Sequence, residues 1–599
     1  MPHGYLVVAL HAHLPYVLSH GTWPHGSDWL NEAVCETYLP LLNLLDRISN
    51  EGRKANLTMG ITPILCEMLA SPVFKEGLKD YMRTRIRAAD KDGRFFERKN
   101  ADPRALLAQR WHDLYQSLLL DFVLKYDEDL VSAFRRFQEE GQIEIIASAA
   151  THAYLPLLSL DSSVYAQIRQ GIETYKKHFR RAPKGLWLPE CAYRPAFTES
   201  DTSGMIRERK GMEHFLLENG IDYFFLDSHH LREQGPVEGY VENLPWRESA
   251  AKGSSPDDRG MYDMYSLHYE GLRGLQRVSA GKRGVPVDEG TRTPYMTYYT
   301  GAMRADRRCA FFAREGDMSL QVWSSQWGYP GDGDYLEFHK KRAPGGLRYW
   351  SVTDRTAGLD QKKTYDPVRA AEKVRSHAAH FQGLVTDRLE QYMSETGRTG
   401  VATTPFDAEL FGHWWHEGID WLYQVLRLFQ KDGTVKVEKA STALERISPE
   451  QVVELPEGSW GAGGGHLIWY NTETEWMWDC IHETEHMMSS TVNTLKEKDA
   501  VSVRLLKQMA RELFLLQASD WEFLVSTGAA KDYAEERFRT HYADFKTLGG
   551  MLDLYLKEGA LPGVMIDTLS RCEERDAVFD NVKIEWFEER TQNGLQTHP

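Results

Sequence analysis

Seven short runs, each rich in β-branched or aromatic residues and each followed by polar, Gly or Pro residues, constrain the fold of this 599-residue chain most. They are YLVVAL (5–10), ANLTMGIT (55–62), IEIIASA (143–149), GLWL (185–188), YFFLD (223–227), QVWS (321–324) and GVATT (400–404). Runs of this length with no polar alternation read as strands buried on both faces, ending in loops. Between them lie stretches with apolar residues at three- and four-residue spacing, such as ETYLPLLNLLDRIS, SVYAQIRQGIETYKKHF and DPVRAAEKVRSHAAHFQGLVTDRLEQYMSE. Those are amphipathic helices. Strands alternating with helices predict an α/β fold on a parallel sheet or barrel.

Two intervals break the alternation. Residues 75–140 are largely charged amphipathic helix and read as a helical insertion between strands. After Gly412 strand signals nearly vanish, which predicts a mainly helical C-terminal domain over 413–599. The barrel domain is then 1–74 and 141–412. The loops around 246–260 and 279–294, rich in Gly, Ser, Pro and charge, read as surface segments.

A formal charge of -16 would repel a nucleic-acid backbone, and no basic patch offsets it. The apolar run YLVVAL is too short for a signal-peptide core or a membrane span. Six cysteines lie far apart without CxxC spacing and read as reduced thiols, so a cytoplasmic protein is expected. Oligomeric state leaves no mark in the sequence.

Polar residues collect where the apolar runs end. His11 and His13 follow the first, His152 the third, Glu190 the fourth, Asp227 the fifth, and Asp407 follows GVATTPF; Trp323 lies within QVWS. In a parallel barrel the edge after the strands gathers the active-site groups. Two carboxylates, Glu190 and Asp407, with several aromatics and no Ser or Cys nucleophile in a recognisable setting, form the kit of a glycosidase. Breaking an acetal takes one acid to protonate the leaving oxygen and one carboxylate to meet the cationic carbon. Three other motifs compete. HETEH (482–486) satisfies the HExxH pattern of zinc proteases, against the plainer reading of a solvated helix face. HAH (11–13) could begin a metal site but lacks an obvious complementary set, and the Gly-rich WGAGGGH (460–466) reads as a turn that positions its flanking tryptophans.

HAHLPYV, GQIEIIASAATHAYLPLL, GLWLPECAYRP and TTPFDAELFGHWWHEG resemble, in this order, the first four sequence regions of glycoside hydrolase family 57, and QASDWEFLVSTGAAKDYAEERFRTHYADF is similar to the fifth. QVWSSQWGYPGDGDY and SWGAGGGHLIWYN are most similar to that family's 1,4-α-glucan (glycogen) branching enzymes. The resemblance implies a distorted, incomplete (β/α)7 barrel with a helical insertion and a helical C-terminal domain closing the cleft. It implies Glu190 as nucleophile and Asp407 as general acid/base, with His11, His13, His152 and Asp520 in the inner shell and Trp323, Trp460 and Trp469 lining a glucan groove. Trp460 and Trp469 would capture the acceptor chain. Trp327 departs from the family's usual polar residue. The implied reaction cuts an α-1,4 bond of amylose or glycogen and passes the chain to a 6-hydroxyl, with neither metal nor other cofactor. Hydrolysis or 4-α-glucan transfer is the near alternative; a zinc protease or a glucan-binding protein without turnover is the distant one.

Overall fold

The structure, a computed structural model, describes residues 2–98, 102–200, 206–231, 292–324, 328–495 and 498–589. Trp327 and most of the two loops singled out above lie outside these residues.

A ten-stranded sheet forms the centre. Its strands are β1 (Gly4–Ala12), β2 (Leu57–Ile61), β3 (Ile143–Ser148), β4 (Gly185–Trp187), β5 (Tyr223–Leu226), β6 (Thr297–Thr300), β7 (Ala310–Ala313), β8 (Gly400–Asp407), β9 (Val435–Val437) and β10 (Val452–Val453). Seven of them run parallel in the order β8-β1-β2-β3-β4-β5-β7. β6 pairs antiparallel with β7, β10 extends that edge, and β9 pairs with the start of β1. Among the described residues no ladder joins β7 to β8. The chain leaving β7 instead donates one backbone bond, Glu315 N to Thr403 O (2.8 Å), across the gap. The sheet is therefore a curled, incompletely closed (β/α)7 barrel.

The apolar runs became strands because both faces are covered: every residue of β1 and of β8 is buried. Helix Asp161–Phe179 packs on β3, and helix Pro367–Thr396 packs on β1 and β8. QVWS corrects the expectation. It is the end of helix Gly316–Trp323, and the strand of that unit is AFFA, eight residues earlier in the chain. The apolar residues of LQVW are buried from a helix, and a run of four cannot distinguish that from a strand.

Between β2 and β3 run helices Pro72–Glu97, Arg104–Leu120 and Leu130–Glu139. Beyond β10 follow helices Glu475–Thr494, Ala500–Leu516, Asp520–Thr527, Lys531–Glu558 and Gly563–Arg575. No helix among the described residues is long and apolar enough to cross a membrane. The C-terminal helices are pinned to the barrel by buried polar groups. Glu485 accepts from Ser159 N (2.8 Å) and Ser159 Oγ (2.6 Å), and Gln167 Nε2 donates to Gln517 Oε1 (2.9 Å). A second pin joins the loop after β1: His20 Nε2 meets Asp576 Oδ1 at 2.6 Å. Beside it Arg537 donates to His541 Nε2 (3.1 Å), so the proton of that imidazole sits on Nδ1 and goes to Glu512 (2.8 Å).

One close approach sets the geometry next to β8. The π-helical turn Val34–Tyr38 lies against the segment after Asp407, with Thr37 Oγ1 donating to Phe411 O (3.0 Å). Gly412 has φ 103°, and a Cβ there would stand 1.8 Å from the Glu36 carbonyl oxygen. Gly412→Ala is therefore expected to cost more than about 2 kcal/mol, combining left-handed strain with a backbone clash. Thermal unfolding checks it: a midpoint equal to that of the parent would contradict the packing described.

Candidate active site

Glu190 follows β4 in a single turn, Pro189–Cys191, with φ 60° and ψ 21°. Left-handed backbone at a non-glycine residue costs of order 1–3 kcal/mol and persists where the surroundings over-determine it. Here they do. Trp460 N donates to the Glu190 carbonyl (3.0 Å), and Tyr193 and Gly458 exchange backbone bonds at 2.8 and 3.0 Å. The strand-end turn is thus clamped by the segment 458–460. The Gly-rich run continues this clamp: Gly464 has φ 78°, and a Cβ there would stand 3.0 Å from the His229 ring, so a bare backbone suits the position.

The carboxylate is held as firmly. Trp460 Nε1 donates to Glu190 Oε2 at 2.7 Å, Ser519 Oγ lies 3.4 Å from Oε1, and His152 Nδ1 lies 3.0 Å from Ser519 Oγ. His11, His13 and His152 form a stack beside it. The His11 ring lies 4.5 Å from Trp187 at 8°, and the His13 and His152 rings are 4.1 Å apart. Burial, with His13 adding to it, holds His11 and His152 well below the usual imidazole range, so both are neutral at pH 7. His13 is oriented by Thr62 Oγ1 (3.1 Å) on Nδ1 and by Asp520 Oδ2 (3.0 Å) on Nε2.

Asp407, the last residue of β8, is 7% exposed, and among the described residues its Oδ2 has no hydrogen-bond partner. Two residues on, Glu409 accepts from His13 N (3.1 Å) and from the Tyr38 hydroxyl. Burial raises Asp407 well above the usual carboxylate range, and the neighbouring Glu409 and Glu190 add to this against Arg314. Burial also lifts Glu190 to about 7, with Asp520 adding and the Trp460 hydrogen bond opposing. Glu409 is pushed up to about 7 by burial as well.

A narrow cleft joins these groups, lined by His11, His13, His152, Glu190, Asp407, Trp460 and Asp520 together with Glu409, Trp29, Trp414 and Phe523. Two expected groove residues lie elsewhere. Trp323 is 1% exposed at the end of its helix, with its ring 6.1 Å from Trp414. Trp469 is fully buried, stacked 4.5 Å from Tyr154, and its carbonyl receives Trp478 Nε1 (2.8 Å). It braces the turn from behind. Trp460 does reach the cleft, as a partner of Glu190 more than as an open platform. Asp227 pairs with Arg314 and with His229 Nδ1 (3.1 Å) and does not line the cleft. Glu409 and Tyr38 join the site without a sequence signal of their own: FDAEL shows Glu409 two residues from Asp407, but its partner Tyr38 is 371 positions away.

The residues of HETEH point in different directions. His482 Nε2 meets the Leu157 carbonyl (2.9 Å), Glu485 faces inward to Ser159, and Glu483 faces outward to Tyr542 and Lys546. That is a helix docking face. Among the described residues, ligand-type groups converge as His20/His541/Asp576 and as Glu512/Asp544/Cys572, neither of them in the cleft. Arg575 lies against both sets, 2.6 Å from Asp544 and 2.5 Å from Asp576, a cation where a metal would be repelled.

Residues 7–456 match the model of glycosyl hydrolase family 57, and residues 480–587 match that of the 1,4-alpha-glucan branching enzyme C-terminal region. A 1,4-alpha-glucan branching enzyme of Thermococcus kodakarensis is 38% identical over 97% of this chain and 78% of its own length. Among solved structures, a GH57-type branching enzyme from Pyrococcus horikoshii superposes with TM-score 0.82 at 36% identity, covering 99% of this chain and 98% of that one. The alpha-amylase AmyC from Thermotoga maritima gives 0.76 at 28% identity, covering 99% and 100%. On this breadth of agreement the chain belongs to glycosyl hydrolase family 57, where it groups with the branching enzymes.

Proposed function

We infer that this chain is a 1,4-α-glucan branching enzyme working by a retaining mechanism, with Glu190 as nucleophile and Asp407 as general acid/base. The carrying observation is the unequal treatment of two largely buried carboxylates in one cleft. Glu190 receives the Trp460 indole N–H and lies beside the Ser519 hydroxyl, which favours its ionised form. Among the described residues one Asp407 oxygen has no donor, and the Glu409 carboxylate is its neighbour, which favours its protonated form. Pairs pushed apart in this way divide the nucleophile's work from the acid's.

In the first half, Glu190 attacks the anomeric carbon while Asp407 gives its proton to the departing 4-oxygen, leaving a glycosyl ester on Glu190 and a carboxylate at 407. In the second half, Asp407 takes the proton of an incoming 6-hydroxyl, whose oxygen displaces Glu190 and forms the α-1,6 bond. The neutral stack of His11 and His152 leaves the cationic carbon with Glu190 as its close counter-charge. The region beyond residue 412 supplies Trp460, Ser519 and Asp520 to the cleft, as a domain closing over it would. The likeness to an alpha-amylase over the whole chain favours hydrolysis of the same ester as the second reading. A cytoplasmic location is supported by the six unpaired cysteines, five of them buried.

Amylose incubation separates the readings: new α-1,6 linkages, counted by proton NMR, are expected to exceed new reducing ends, and the reverse would make the protein a hydrolase. Asp407→Asn should lower turnover of amylose by about 10²–10⁴-fold yet still react with an α-glycosyl fluoride, whose leaving group needs no proton. Equal losses on both donors would remove Asp407 from the acid role.

The protonation scheme has a pH signature. Activity needs Glu190 ionised, so kcat/KM should fall as pH drops through about 7. Trp460→Phe removes a hydrogen bond to the charged form, worth about 1.5–3 kcal/mol, and so raises the Glu190 pKa by about one to two units. The acid limb is expected to move to higher pH by that amount; an unshifted limb in a folded, active variant would contradict the contact's role.

A further inference from the structure

A second cavity, ≈ 310 Å³, shares no lining residue with the catalytic cleft. It lies where the insertion helix Arg104–Leu120 faces the turn Val34–Tyr38 and the start of helix Gly418–Asp432. The Val34–Tyr38 turn separates the two sites: Tyr38 reaches Glu409 on the cleft side, and Glu36 lines the second cavity.

The walls are aromatic. Trp111, Tyr115 and Tyr365 line the cavity with His416, whose ring lies 5.4 Å from Trp111 and 6.4 Å from Tyr365. Trp111 is fixed by Nε1 donating to the Arg348 carbonyl (2.7 Å), and Tyr365 by its hydroxyl donating to Glu417 (2.7 Å). These rings are preset, so binding against them would cost little side-chain entropy.

Its polar groups are the informative part. Among the described residues the side chains of Arg110, His416 and Asp420 make no hydrogen bond or ion pair, although all three line one concavity and Arg110 acts electrostatically on both His416 and Asp420. Burial holds His416 down to about 4, so at pH 7 it is neutral, one ring nitrogen a donor and the other an acceptor. Glu36 is the contrasting case. Despite burial, Arg348 (2.6 Å) and His413 (2.6 Å) hold it ionised and satisfied.

Each simple ligand class leaves something unpaired here. An anion would meet Asp420 and Glu36, a cation would meet Arg110, and an apolar ligand would desolvate all three open groups without replacing their hydrogen bonds. A neutral polyol answers the whole set, with hydroxyls that donate to Asp420, accept from Arg110 and do either at His416, while its C–H faces lie on the rings. We propose that this cavity is a second, non-catalytic binding site for a short segment of α-glucan. The ligand class rests on the proposed function, but the site is defined by its own residues. Its effect would be avidity: a long chain held there raises the effective concentration of its other segments at the cleft, whereas an oligosaccharide too short to span both sites gains nothing.

The test separates binding from turnover. Maltoheptaose is titrated calorimetrically into Glu190→Gln protein, which keeps both sites but does not consume the ligand. Two sites per chain are expected. Arg110→Ala/Asp420→Ala, two exposed positions whose loss leaves the packed rings in place, should remove one of them and leave the other unchanged. Carried into the active enzyme, the same pair should raise KM for amylose about fivefold, leaving kcat and turnover of maltohexaose unaltered. A single site in the parent, or two sites surviving the double substitution, would overturn the inference. If amylose is branched by a protein that binds maltoheptaose once, the proposed function stands and this inference alone fails. Loss of a site in the double variant together with an inactive parent would keep the inference and remove the function.

Discussion

The contact between Trp460 and Glu190 is the interaction on which the rest of this structure depends. A carboxylate buried after β4 on left-handed backbone is unfavourable twice, in desolvation and in conformation. Both costs are offset by one segment. Trp460 donates from its indole to the carboxylate and from its backbone to the same residue's carbonyl, while Gly458 is bridged to Tyr193. The glycines of WGAGGGH let that segment approach His229 and the turn closely, and Trp469 braces it against Tyr154. The barrel supplies the Glu190 carboxylate and the following region holds it in place.

This sharing bears on transfer against hydrolysis. Water competes for a glycosyl ester unless the acceptor is held beside it in a closed, dry cleft, where well-oriented groups reach effective molarities far above that of water. Trp29, Trp414, Trp460 and Phe523 provide apolar surface in the lining, and two of these, Trp460 and Phe523, come from beyond β10, on segments clamped to the barrel. A cleft partly roofed by a separate region can tune water access without changing either carboxylate.

Much of the fold was legible because parallel strands buried on both faces leave continuous apolar runs, and β1 and β8 are cases in point. Where the signal shortens it fails. Four residues of AFFA do not stand out from RRCAFFAREG, while LQVW, apolar for a helical reason, imitates a strand. At the site, the residues at or just past strand ends were readable from position: His11, His152, Glu190 and Asp407 meet in one cleft. Tertiary partners were not. Trp460 and Trp469 stand nine positions apart in one Gly-rich stretch, and only the fold decides that one faces Glu190 and the other Tyr154. Glu409 was visible beside Asp407, but its importance comes from Tyr38 on a π-helical turn far away in sequence.

The central claim is that Glu190 forms a covalent bond to the sugar. A maltosyl fluoride slowed by ring fluorination would form the ester readily and release it slowly, so that intact-protein mass spectrometry reads its accumulation and peptide mapping reads its position. One added maltosyl unit per chain, on the peptide spanning GLWLPECAYRP and at Glu190, is the expected result. Time-dependent inactivation with no covalent adduct, or an adduct on another carboxylate such as Glu409 or Asp520, would contradict it.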